Sequence, residues 1–196
     1  MTGQPIYTIG YGSRTFEALA EVIRERKIEY LIDIRSRPYS SYKPEFNKQA
    51  LEAQLKSHGV GYLFMGDTLG GLPDDRACYT DGKVDYTLVQ EKQFYKDGLE
   101  RLIDASEKGI RVVVMCSEEK PERCHRSKLI GRSLEKLGIG VIHIDEAINE
   151  IDQEEVMRRI TGGQPSLFGE ESLGLTSRKS YGVSEEEQAA GEEDGA

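Results

Sequence analysis

A chain of 196 residues, 37% of them hydrophobic, is long enough for one ordinary domain with a real core. Its formal charge of −9 is uneven: residues 170–196 hold eight acids against Arg178 and Lys179, so that segment carries −6 and the remainder only −3. A near-neutral body excludes a uniformly basic footprint but leaves room for a local anion site. An apolar run approaching about 18 residues is lacking, the start has no basic, apolar leader, and the cysteine count of three is odd. A cytoplasmic chain with reduced thiols and no membrane association is therefore expected.

Strand and helix patterns alternate along the chain. Residues 6–9 read as a short apolar strand, followed by Gly10-Tyr11-Gly12 and a helix capped by Thr15 with Phe16, Leu19, Ala20 and Ile23 on one face. Residues 30–34 form a second strand, Asn47 caps a helix running to about His58, and residues 61–65 form a third strand. An irregular stretch over 66–85 contains Gly70-Gly71, Pro73 and a turn at Asp81-Gly82, and stretches of that length are commonly lids or binding loops. A helix is predicted over 86–106, and residues 111–115 form a strand whose run of Val112-Val113-Val114 suits burial on both faces. Pro121 opens and Gly138 closes the next helix; residues 141–144 form a fifth strand and 146–160 a last helix. The pattern predicts an α/β domain over 1–161: a mainly parallel five-stranded sheet with helices on both faces, three-layered and Rossmann-like. Residues 162–196, rich in Gly, Ser, Gln and Glu, read as a flexible acidic tail.

Parallel sheets bind ligands outside the carboxyl ends of their strands, which directs attention to three clusters. Gly10-Tyr11-Gly12-Ser13-Arg14 lies between strand and helix, where its amides and Arg14 could hold a phosphate; a tight turn that needs glycine explains it equally well. Asp33 and Arg35 share one face of a strand end, as a structural ion pair or a functional one, and Arg37, Tyr39, Tyr42, Lys43 and Phe46 follow. Bases interleaved with aromatics suit a nucleic-acid strand. The densest cluster is Cys116-Ser117-Glu118 with Cys124-His125-Arg126. A phosphatase-type loop is misaligned by one position, and adjacent Cys124-His125 argue against a metal, so no metal or other cofactor is expected. Cys116 reads more readily as packing, Cys124 as packing or as a nucleophile at a helix start, Glu118 as an acid, base or charge stabiliser, and Arg126 as an anion clamp. His125 is the candidate histidine, whereas His143 reads as a hydrogen-bonded structural residue and His58 as exposed.

Thr8-Ile9-Gly10, Asp33-Ile34-Arg35 with Pro38, Leu69-Gly70-Gly71, and Cys116-x-Glu118 with Cys124-His125-Arg126 together make the chain resemble the family labelled domain of unknown function 488, over about residues 5–150. The first motif departs from the family's usual form, which carries a histidine where this chain has Tyr11. The resemblance implies the α/β fold, and for some members an action on modified or damaged bases in DNA. In the tail, Gln164-Pro165-Ser166-Leu167-Phe168 resembles the peptides that dock repair proteins on the bacterial sliding clamp: Leu167 and Phe168 would be the anchors and Gln164 the polar contact.

These readings lead to a DNA-processing enzyme, most specifically a glycosylase, with DNA and the sliding clamp as partners. Arg35, Arg37 and Arg126 would grip phosphates, with Gly10 and Arg14 beside them. Tyr11, Tyr39 or Phe46 would stack on a base, and Asp33 or Glu118 would orient water or stabilise the sugar cation. The alternatives are a thiol-dependent or small-nucleotide enzyme using Cys124 and His125, and a non-enzymatic, clamp-tethered DNA-binding module.

Overall fold

The computed structural model describes residues 3–163 and 176–181. A six-stranded sheet runs in the order β3-β2-β6-β1-β7-β8. Its strands are β1 (Ile6–Gly10), β2 (Tyr30–Asp33), β3 (Gly61–Phe64), β6 (Val112–Cys116), β7 (Val141–Ile144) and β8 (Glu150–Asp152). The first five are mutually parallel and β8 is antiparallel to β7. A separate hairpin pairs β4 (Tyr79–Thr80) with β5 (Lys83–Val84) across Asp81 and Gly82, both at positive φ, at the predicted turn.

The period-2 alternation of β6 divides the core. Val113 and Met115 face α1 (Phe16–Glu25) and α2 (Lys48–Ser57) in one apolar cluster with Leu19, Ile23, Leu51 and Leu55. Val112, Val114 and Cys116 face the other side. There they meet residues of α3 (Tyr86–Glu91), α4 (Gln93–Glu107) and the helical segment after Cys124. Both faces of the central strand are covered, which is why its sequence is apolar without interruption. Among the described residues, no helix is long and apolar enough to cross a membrane.

Three elements depart from expectation for local reasons. The helix predicted over 86–106 breaks at Lys92, whose extended ψ of 139° separates α3 from α4. The helix after Pro121 is a short 3₁₀ turn (Pro121–Arg123), a π-helical turn (Arg126–Gly131) and α5 (Arg132–Lys136). The predicted helix 146–160 begins late. The Asp145 carboxylate accepts the amides of Ala147 (3.0 Å) and Asn149 (2.9 Å), and Ile148 takes a φ of 66°. That turn sends the chain back as β8, the sixth strand, before α6 (Gln153–Thr161) starts on its Asp152 cap.

The acidic segment is more than a tail. Ser177 exchanges backbone and side-chain hydrogen bonds with Val84 (2.8 and 3.0 Å), and Thr176 bridges Asp85, so residues 176–181 lie as a strap against the β4–β5 hairpin. Gln164, Leu167 and Phe168 lie outside the described residues.

Candidate functional site

The carboxyl ends of β1, β2 and β6 open into a cleft of about 310 Å³, walled on its far side by the strap. The cleft gathers Tyr11, Arg35, Arg37, Tyr39, Glu118, Cys124 and His125 from the sequence-predicted set. Asp33, Gly10, Arg14, Phe46 and Arg126 are not among its lining residues, and each has a structural reason.

Asp33 is fully buried and holds Arg35. Its Oδ1 accepts Arg35 Nε (2.8 Å), its Oδ2 accepts Arg35 Nη2 (2.6 Å), and Tyr62 donates to Oδ2 at 2.8 Å. Arg35 Nη2 also reaches the carbonyl of Phe46 (2.8 Å). Burial alone would lower the Arg35 pKa, but the hydrogen bonds and charge of Asp33 raise it above its usual value. The pair fixes a guanidinium at the cleft whose Nη1 has no hydrogen-bond partner among the described residues. A buried donor without a partner is costly, and an anion would satisfy it. Phe46 is buried and stacks on Tyr11, ring centroids 4.3 Å apart, so it supports the lining tyrosine rather than a ligand.

The expected phosphate cradle at Gly10–Arg14 is occupied by the protein itself. Tyr11 and Gly12 donate their amides to the carbonyls of Cys116 (3.0 Å) and Ser117 (3.2 Å). A Cβ at Gly10 would overlap the carbonyl of Glu118, which explains the glycine. Arg14 is buried and donates to the carbonyls of Gly10 and Asp145. Arg126, fully buried, likewise donates to the carbonyls of Glu118 and Glu119, setting the shape of the loop after β6 instead of clamping a ligand.

At the floor of the cleft, Cys116 Sγ lies 3.9 Å and Cys124 Sγ 3.7 Å from His125 Nδ1. The Cys124 thiol donates to Cys116; this bond, opposed by burial and aided by His125, holds the Cys116 thiol well below its usual pKa. Burial, followed by that same donation, holds Cys124 well above it. The two sulfurs are thus unlike in acidity, Cys116 the more readily ionised of the pair. Gly71 lies over the imidazole: a Cβ there would come within 2.8 Å of His125 Nδ1.

Among the described residues, Glu118 is the only carboxylate that lines the cleft, and it is bound there by Arg178 (2.9 Å). Arg123, Lys179, Tyr86 and Tyr181 complete the wall. Sequence reasoning missed these, and it set Cys116 aside as packing. The one available signal was that Arg178 and Lys179 are the sole bases in residues 170–196. His143 is a structural histidine, as expected, buried between Thr8 and Gln153.

Two comparisons bear on the chain. The family described as domain of unknown function DUF488 matches residues 15–132, a span holding the lining residues of the cleft except Tyr11 and those of the strap. No curated protein matches it.

Proposed function

The chain belongs to the DUF488 family, and on that footing we propose that it is a DNA-processing hydrolase cleaving the base–sugar bond of a damaged or modified nucleotide. The observation that carries this reading is the composition of the cleft: among the described residues, tyrosines and arginines surround a single carboxylate, Glu118. Arg35 and Arg37 bind phosphates, Tyr11 and the largely exposed Tyr39 stack on bases, and Glu118 serves the reacting sugar. Water adds to C1′ as the C1′–N bond breaks. The base leaves with the bonding pair, and Glu118 takes the proton from water. Arg178 orients Glu118 before substrate arrives.

The test is a panel of single- and double-stranded oligonucleotides carrying altered bases, scored for alkali-labile sites. One or more bases should give cleavage, and Glu118→Gln should reduce it by about 100-fold or more. Absence of alkali-labile sites across the panel overturns the reading. A second reading, a thiol-dependent or small-nucleotide enzyme, is favoured by the two cysteine sulfurs at the floor, 3.9 and 3.7 Å from His125 Nδ1. It differs in its product: the Cys116 sulfur bonds to substrate carbon or phosphorus as that atom's bond to its leaving group breaks, the leaving group departing with the bonding pair, and the adduct is visible as an added mass on the peptide containing Cys116. Docking of Gln164–Phe168 on the sliding clamp is a separate proposal.

A further inference from the structure

We propose that Cys116, Cys124 and His125 form a binding site for one zinc-class divalent cation, with its fourth coordination position open to the cleft. The cysteines and the histidine come from two separate stretches, yet Sγ, Sγ and Nδ1 all lie within 4.8 Å of one another. Zinc–sulfur bonds of about 2.3 Å and zinc–nitrogen bonds of about 2.0–2.1 Å imply a tetrahedral S···N edge of about 3.6 Å. The observed edges, 3.7 and 3.9 Å, are within a few tenths of an ångström of it. The backbone completes the pattern. Each sulfur accepts an N–H from the residue two positions on, Cys116 from Glu118 and Cys124 from Arg126 (3.5 Å). Paired N–H···S bonds of this kind orient thiolates and offset their charge when they ligate a metal. Gly71 leaves room for the imidazole to lie where Nδ1 faces both sulfurs. The adjacency of Cys124 and His125, which argued against a metal in the sequence, proves no obstacle: the backbone bends between them as the 3₁₀ turn gives way to the π-helical turn, and both donors face Cys116.

Two thiolates, one neutral imidazole and one open position describe a soft-to-borderline cation such as Zn²⁺, and the hard, oxygen-seeking Mg²⁺ and Ca²⁺ are excluded by the donor set. Three protein ligands with an open position are the arrangement of hydrolytic zinc, which lowers the pKa of a bound water. That chemical role rests on the hydrolase reading above; the binding of the ion does not.

Full-length protein, reduced and stripped with a chelator, is titrated with Co²⁺ and then Zn²⁺. The expected result is one equivalent of Co²⁺ with the visible bands of a tetrahedral thiolate site, displaced by Zn²⁺. Cys116→Ser and Cys124→Ser should each weaken binding at least tenfold, while Cys78→Ala, which is not one of the three ligands, leaves it unchanged. Failure to bind an equivalent, or bands that persist in both serine variants, overturns the site. Should a serine variant not fold, wild-type protein decides: Zn²⁺ must protect Cys116 and Cys124 from alkylation, and equal rates with and without it overturn the proposal. Metal content and oligonucleotide cleavage are read on the same preparation. Metal-free protein that cleaves overturns the ion's hydrolytic role and keeps the hydrolase; stoichiometric metal without cleavage keeps the site and overturns the hydrolase.

Discussion

Asp33 is a carboxylate at a strand end that works through its neighbour. Removing it leaves the Arg35 charge buried, held among the described residues by its hydrogen bond to the Phe46 carbonyl. Breaking a buried pair from one side typically costs about 3–5 kcal/mol, much more than deleting both charges together. Asp33→Asn should therefore lower the denaturant midpoint by an amount in that range, whereas Asp33→Leu with Arg35→Met should recover most of the stability and abolish anion binding. A loss below about 1 kcal/mol for Asp33→Asn would mean that Arg35 is solvated or bound elsewhere, contrary to its burial. The two-residue spacing in the sequence made the pairing legible. It did not reveal which partner faces the cleft, because that depends on Tyr62 and Phe46, residues from β3 and from the turn before α2, closing around the carboxylate.

At the scale of elements, the strap makes a prediction that needs no ligand. Its attachment consists of a few backbone and hydroxyl bonds to the hairpin: Ser177 with Val84, and Tyr181 N–H to the Gly82 carbonyl. Truncation after Gly163 should speed amide exchange at Val84, whose N–H now donates to the Ser177 hydroxyl, while the amides of β6, held by strands on both sides, exchange as before. Unchanged exchange at Val84 would show that the strap does not lie on the hairpin. The same truncation takes Arg178 and Lys179 from the cleft, so it would be a poor test of clamp docking alone. The parallel sheet was legible because β-branched runs alternate with amphipathic helices. The strap was not: six residues held mainly by backbone groups leave no apolar pattern, and the acids around them read as a solvated tail. Likewise Cys116 continues an apolar strand, and nothing in β6 itself tells the last buried residue from the first functional one. The turn at Asp145 is a capture of two amides by one carboxylate, a local event that helical spacing in residues 146–160 conceals.

Over the whole molecule, one buried residue ties β7 to three other elements. His143 accepts from the Thr8 hydroxyl of β1 at Nδ1 (2.6 Å) and donates from Nε2 to Gln153 Oε1 of α6 (2.7 Å). That orientation of the Gln153 amide is fixed because its nitrogen donates to the carbonyl of Ser127 in the π-helical turn (3.2 Å). The network accommodates a neutral imidazole with its proton on Nε2. Burial, partly offset by the bond to Gln153 and reinforced by the charge of Arg126, lowers the His143 pKa from 6.5 to about 4. In the unfolded chain the ring protonates near 6.5, so between about pH 6.5 and pH 4 the unfolded state binds the extra proton. Stability then rises with pH through that window and falls as the pH drops, by about 3 kcal/mol in total for this one group. The contribution is fully present above pH 6.5 and lost by about pH 4. Urea unfolding at a series of pH values should show this slope, and His143→Gln, which cannot take up the proton, should be less stable at neutral pH but flatter across the same range. If the variant keeps the slope of the parent, the acid sensitivity belongs to other groups and not to the histidine that joins β7 to β1 and to the helices packed behind it.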